Sequence, residues 1–145
     1  MRGLIQRVSA ASVVINGQCH GRIGQGILLL LGIEADDGLK QSEKLINKVL
    51  NYRIFADADG RMNRSLKDID GGLLVVSQFT LVADTKKGLR PGFSRAAAPD
   101  VAERCYEDFI RRLKGQYSAV ASGVFGADMQ VSLCNDGPVT FLLEF

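Results

Sequence analysis

Asn16-Gly17 constrains this chain most. It separates two strand-like segments, Ser12 to Ile15 and Gln18 to Ile23. An Asn-Gly pair between such segments suits the tight turn that the twist of a hairpin demands. Gly26 to Ile33 follows as a continuous apolar run of strand length. That run reads as a strand buried on both faces. With Gly3 to Val8 as a first strand, the N-terminal quarter is a set of β-strands. Any fold must build on them.

The rest divides by pattern. Asp36 or Asp37 is placed to cap a helix reaching about Asn51, with Leu39, Ile46, Val49 and Leu50 on one side. Arg53 to Ala56 reads as a short strand, and Asp57 to Asp70 is rich in turn residues. Leu73 to Leu81 is a β-rich run, and residues 83–98 are a loop by composition. Pro99 then stands at the first position of a second helix. Asp100 and Glu103 lie in its first turn and Arg111, Arg112 and Lys114 in its last, with Gly115 following. That order suits the helix dipole and both end rules. Ala102, Cys105, Tyr106, Phe109, Ile110 and Leu113 form its apolar stripe. Tyr117 to Val124, Met129 to Cys134 and Val139 to Glu144 read as the last strands. No internal repeat or linker divides residues 1–145, so the expectation is one α+β domain. Its sheet is largely antiparallel and barrel-like, with two main helices.

Several function classes are poorly served. The net charge of +2 is low for a protein that grips long nucleic acid by charge alone, and no DNA partner is expected. Three cysteines, Cys19, Cys105 and Cys134, form no CxxC pair and suit a reducing cytoplasm. No apolar stretch is long enough to span a membrane, and the N-terminus lacks the apolar core of a signal peptide. The single histidine, His20, lies in the second arm of the hairpin, and nothing ties it to a nucleophile. No His or Cys pair supplies metal ligands, and no cofactor is expected. Asp57-Ala58-Asp59-Gly60 begins like a calcium loop, but lacks the later spacing and the terminal Glu, and reads as a turn.

Three segments carry polar groups worth weighing. Ser77-Gln78-Phe79-Thr80 closes an apolar strand. At strand spacing, Ser77 and Phe79 share one face, and Gln78 and Thr80 the other. Thr80 is a candidate nucleophile with no base visible beside it. Alternatively, the backbone amides of Phe79 and Thr80 could point at a developing oxyanion. An ordinary strand terminus is the plain alternative. Asn135-Asp136-Gly137-Pro138-Val139-Thr140 interrupts an otherwise strand-like C-terminus. It is either a simple β-turn or a rigid surface of bare backbone that could reject one enantiomer of a ligand. Lys86, Lys87, Arg90 and Arg95 lie within ten residues of one another. They form either a solvated loop or contacts to phosphates at an RNA end.

These segments, in this order and near these distances, resemble the D-aminoacyl-tRNA deacylases. The resemblance also runs through Gln6-Arg7-Val8, Asn63-Arg64-Ser65-Leu66, Arg90-Pro91-Gly92-Phe93 and Gly123-Val124-Phe125-Gly126-Ala127-Asp128-Met129. Gly92 stands where serine is equally expected. The resemblance implies a homodimer that cleaves the ester between tRNA and a D-amino acid or glycine. It implies that Gly137-Pro138 is cis and reaches into the partner subunit's pocket, facing Ser77 to Thr80, with Arg7 holding the dipeptide. It further implies that Phe125 and Met129 line the pocket for the terminal adenosine. An ester of tRNA carries its own vicinal 2′-OH. Chemistry without a histidine could therefore use that hydroxyl, with the Phe79 and Thr80 amides as oxyanion donors and Gln78 orienting the substrate. Two alternatives remain open: Thr80 as a covalent nucleophile, and a non-enzymatic RNA-binding dimer.

Overall fold

The computed structural model describes residues 1–145. Its strands are β1 (Arg2–Ile15), β2 (Gln18–Ile23), β3 (Gly26–Gly32), β4 (Phe55–Ala56), β5 (Met62–Arg64), β6 (Gly72–Ser77), β7 (Val120–Ser122) and β8 (Gln130–Glu144). Its helices are α1 (Leu39–Asn51) and α2 (Pro99–Gln116). Two short 3₁₀ turns lie at Lys67–Ile69 and Phe79–Val82.

The expected first strand and the first arm of the hairpin are one continuous strand. Along one edge, β1 pairs antiparallel with β8 for nearly its full length. Along the other edge it pairs first with β3, over Arg2 to Val8, and then with β2, over Ala11 to Ile15. Asn16 and Gly17 both have positive φ, as the tight turn requires. From β3 the sheet continues through β6 to β7, and both of these pairings are parallel. β2 comes back against β6 and β7, so the sheet nearly closes on itself.

Alternation along the strands sorts the core into two layers. Leu29, Leu31, Leu73 and Val75 face the helices. They join Leu45, Ile46, Val49 and Leu50 of α1 and Ala102, Tyr106, Phe109 and Leu113 of α2. Leu28, Leu74 and Val76 face the other way, with Val8, Ala11, Val13 and Ile23. The apolar run of β3 is therefore buried on both faces, as its sequence predicts.

Four expectations need correction. The residue before α1 is Gly38, not an aspartate, and Leu39 is half exposed. Asp37 is engaged elsewhere: its carboxylate takes the Met1 ammonium and the Glu34 amide. Helix α2 runs through Gly115, because the Tyr117 amide closes on Leu113 and the Tyr117 hydroxyl donates to the Gly71 carbonyl at 2.6 Å. An interior glycine costs a helix only about 1 kcal/mol, which such anchoring can offset. The stretch from Tyr117 to Val124 forms a strand only at β7. Finally, Gly137-Pro138 is not a turn between two strands. It lies inside β8, and the chain accommodates it by register shifts against β1 between Gln6 and Ala10. An irregularity of this kind re-aims a few residues without ending the strand.

Candidate functional site

The parallel strands β6 and β7 end side by side, and a cleft of about 450 Å³ opens beyond their C-terminal ends. The crevice outside the carboxyl ends of parallel strands is a recurrent ligand position in α/β sheets. One wall is Val76, Ser77, Gln78 and Phe79. A second is the start of α2, with Ala96, Ala97, Pro99 and Ala102. The third is the segment after β7, with Phe125, Gly126, Ala127, Met129 and Val131.

Sequence reasoning treats Ser77 to Leu81 as strand. In the structure the strand ends at Ser77, after which the Gln78 amide makes a last bond to the Leu31 carbonyl at 2.8 Å. The chain then tightens into the 3₁₀ turn, closed by Leu81 N–H to Gln78 and Ala83 N–H to Thr80, each at 3.2 Å. The face assignments drawn from strand alternation therefore do not apply beyond Ser77. The tighter turn has a chemical consequence. Phe79 and Thr80 are its first two residues, and the first amides of a helical turn have no acceptor within it. The Thr80 side chain is exposed and outside the cleft lining, and its hydroxyl accepts a hydrogen bond from Gln78 Nε2 at 2.6 Å. The exposed Phe79 ring packs against Phe93, with centroids 5.1 Å apart.

Gly137 and Pro138 do not line this cleft within their own chain. Their peptide bond is cis, and both residues are exposed. Two supports hold the segment. Arg7 Nε donates to the Asp136 carbonyl at 2.9 Å and Nη1 to the Ile54 carbonyl at 2.7 Å, with the Asp136 carboxylate 3.4 Å away. On the other side, Asn135 spans the irregularity. Its Oδ1 accepts the Val139 amide at 3.0 Å and its Nδ2 donates to the Thr140 hydroxyl at 2.9 Å. Gln6 Nε2 donates to the same hydroxyl at 3.2 Å. Sequence reasoning assigns no task to Asn135, Thr140 or Gln6. The spacing of Asn135 to Thr140 across a Gly-Pro pair is the signal that could have found it.

The cations of the loop divide into two groups. Lys86, Lys87 and Arg90 are exposed and make no ion pair. Arg95 instead pairs with Glu34 at 2.8 Å. Glu34 also takes the Met1 ammonium at 3.1 Å and the Arg2 guanidinium at 3.4 Å. Burial alone would raise the Glu34 pKa. The hydrogen bond from the Met1 ammonium and the charges of Met1, Arg2 and Arg95 together outweigh that, and its carboxyl lies below the ordinary value. His20 is exposed on β2 and lines no part of the cleft. No group of three or more His, Cys, Asp or Glu side chains is arranged to hold a metal ion.

Sequence reasoning also overlooks the small residues Ala96, Ala97 and Ala102 as a wall, and Tyr106 beneath them. Alanines carry no local signal; backbone pairing with Glu34 and Ile33 brings Ala96 and Ala97 to the cleft, and the docking of α2 brings Ala102.

The chain is similar to known proteins over nearly its whole length. The family model described as D-Tyr-tRNA(Tyr) deacylase matches residues 4–144. The chain is 60% identical to the D-aminoacyl-tRNA deacylase of Cellvibrio japonicus, over 99% of each chain. It is 62% identical to that of Pseudoalteromonas translucida, again over 99% of each. Among solved structures it is similar to one described as c-Myc DNA Unwinding Element Binding Protein, at 41% identity and a TM-score of 0.95, covering 100% of this chain and 99% of that one. A structure described as a probable eukaryotic D-amino acid tRNA deacylase shares the fold, with a TM-score of 0.82 at 18% identity, covering 98% and 97%. The chain belongs to the D-aminoacyl-tRNA deacylase family.

Proposed function

We propose that the chain hydrolyses the ester that joins a D-amino acid, or glycine, to the 3′ end of tRNA, releasing free amino acid and tRNA. The observation that carries this reading is the break from strand to 3₁₀ turn at Ser77. It leaves the Phe79 and Thr80 amides without intrahelical acceptors just where the chain leaves an apolar cleft whose wall ends at Phe79. Fixed amides of this kind stabilise the oxyanion of a tetrahedral intermediate and cost no reorganisation during the reaction. The 2′-OH of the terminal adenosine is the group that positions or activates the attacking water, and Gln78 orients the ester. Phe125 and Met129, on the facing wall, receive the adenosine.

Thr80 acts here through its backbone amide. Its hydroxyl accepts a hydrogen bond from Gln78 Nε2 and donates to no imidazole or carboxylate that would take its proton. Lys86, Lys87 and Arg90 contact phosphates near the RNA end. A net charge of +2, with free cations gathered in one loop, favours an RNA end over a length of duplex.

The chain works as a homodimer. Gly137-Pro138 stands exposed and doubly braced, yet outside the cleft of its own chain. In the dimer it reaches the partner's cleft opposite Ser77 to Thr80. Bare backbone there accepts the Cα hydrogen of a D-residue and clashes with an L side chain. Glycine has no side chain to exclude and is hydrolysed too. Residues 1–145 act as one domain, in the cytoplasm, where charged tRNA is found. The test is parallel hydrolysis of D-Tyr-tRNA, Gly-tRNA and L-Tyr-tRNA, with sedimentation to count subunits. Loss of the first two with the third intact supports the reading. Equal loss of all three removes the steric filter. Binding without turnover would make the chain an RNA-binding dimer instead.

A further inference from the structure

Below the cleft, one buried hydroxyl joins two walls that would otherwise be weakly connected. β7 is three residues long and pairs with β6 at only three positions, Leu73 with Val120, Leu74 with Ala121 and Val75 with Ser122. So short a parallel pairing does little to fix the direction in which the chain leaves it. The exit is secured by Gly123, whose amide donates to the Val75 carbonyl at 2.8 Å. Tyr106 of α2 completes the junction. Its hydroxyl lies 3.1 Å from the Val75 carbonyl and 3.1 Å from the Gly123 carbonyl, and shares its one proton between them. Burial raises the Tyr106 pKa, so the phenol stays neutral and remains a donor.

The junction reaches the cleft through two side chains. The Tyr106 ring packs against Phe125, with centroids 6.0 Å apart. Gly123 lies directly under Met129: a Cβ at position 123 would come within 2.5 Å of Met129 Sδ. Phe125 and Met129 both line the cleft, on the wall opposite Ser77 to Phe79. The hydroxyl that fixes Gly123 therefore also fixes the spacing between the nucleoside wall and the wall that carries the amides.

We propose that Tyr106 is a positioning residue for nucleoside binding: its hydroxyl, bridging Val75 and Gly123, sets Phe125 and Met129 at the distance an adenine ring requires. This rests on the assignment of those two side chains to the terminal adenosine. Tyr106 touches neither the ester nor the attacking water. Its loss therefore weakens capture of the RNA end and leaves the chemical step in place.

The test is Tyr106→Phe, which keeps the ring against Phe125 and removes only the hydroxyl. Two buried carbonyls then lose a donor, and KM for D-Tyr-tRNA rises about fivefold to tenfold with kcat within about twofold of the parent. The second measurement is a titration with adenosine alone, followed by the Met129 methyl resonance. The methyl moves on addition of adenosine to the parent, and the variant requires about fivefold more nucleoside. Gly123→Ala attacks the same junction from the other side with the hydroxyl intact, and displaces Met129 with the same rise in KM. It decides the matter if Tyr106→Phe does not fold. A lowered melting temperature with unchanged KM and adenosine affinity overturns the proposal, as does a fall in kcat at constant KM. Should the parent bind adenosine at Met129 yet leave D-Tyr-tRNA intact, the deacylase reading fails and the positioning role is still decided by the titration.

Discussion

The Gln78 side-chain amide donates to the hydroxyl oxygen of Thr80 at 2.6 Å, across the first step of the 3₁₀ turn. The bond engages one lone pair of the Thr80 hydroxyl, and no side chain accepts its proton as a general base would. Thr80→Ala keeps the backbone amide and deletes the hydroxyl. Its rate on D-Tyr-tRNA falls no more than about tenfold, since loss of a true nucleophile costs several orders of magnitude. Single-turnover kinetics separate the cases, and a drop of about 10⁴-fold or more would restore Thr80 as nucleophile.

Arg7 ties Asp136 of β8 to Ile54, before β4, through two carbonyls at 2.9 and 2.7 Å. Lysine has no planar fork and cannot reproduce both bonds. Arg7→Lys therefore lowers the melting temperature by a few degrees and lowers activity about tenfold or more, because the Gly137-Pro138 segment loses one of its two braces. Activity equal to the parent would mean that Asn135 alone suffices.

Gly137 has φ of +134°, and a Cβ there would lie 2.7 Å from Val139 Cγ2 and 3.1 Å from Arg7 Nη2. Side chains rarely adopt that backbone conformation, so alanine must move the segment. The expected result for Gly137→Ala is a deacylation rate lowered at least about 100-fold, with the circular dichroism spectrum preserved. Retention of the parental rate would place this segment outside the reaction.

Glu34 gives a pH signature. Its carboxyl is held below its ordinary value by the Met1 ammonium, Arg2 and Arg95 against the opposing effect of burial. A depressed folded pKa contributes stability above the unfolded value, about 4.3, and that contribution disappears as pH falls through the folded value. Glu34→Gln is thus less stable than the parent at pH 7, and the two melting temperatures converge as pH falls through the folded value. A gap that stays constant down to acid pH would show that the effect is packing, not charge.

The basic loop separates by salt. Lys86→Ala, Lys87→Ala and Arg90→Ala each raise KM at low salt and each reduce the slope of log KM against log salt by about 0.7 to 0.9. Arg95→Ala lowers the melting temperature instead, because its partner is Glu34. Salt slopes equal to the parent's in Lys86→Ala, Lys87→Ala and Arg90→Ala would remove the loop from RNA contact.

Much of the fold is legible in local pattern. Asn16-Gly17 marks its turn, the run from Gly26 marks a strand buried on both faces, and Pro99 marks the start of α2. Features decided over long range are not legible. Asp37 resembles a cap until Met1, distant in sequence, reaches its carboxylate. Gly137-Pro138 reads as a turn because a strand interior should exclude proline; only the slack in the pairing with β1 lets β8 continue. The parallel order of β3, β6 and β7 depends on crossovers that no short window contains. In the site, Ser77 to Phe79 can be read from their place at the end of an apolar run. The alanine wall and the Tyr106 hydroxyl beneath the cleft cannot, because only long-range packing brings Ala96, Ala97 and α2 against the strand ends.

A chiral filter on an ester of tRNA passes one enantiomer and spares the other. The decisive experiment follows the decay of D-Tyr-tRNA and L-Tyr-tRNA in parallel, with purified protein and matched controls. The D ester is expected to disappear rapidly while the L ester decays at the rate without protein. Loss of both esters at similar rates, or of neither, would contradict the filter.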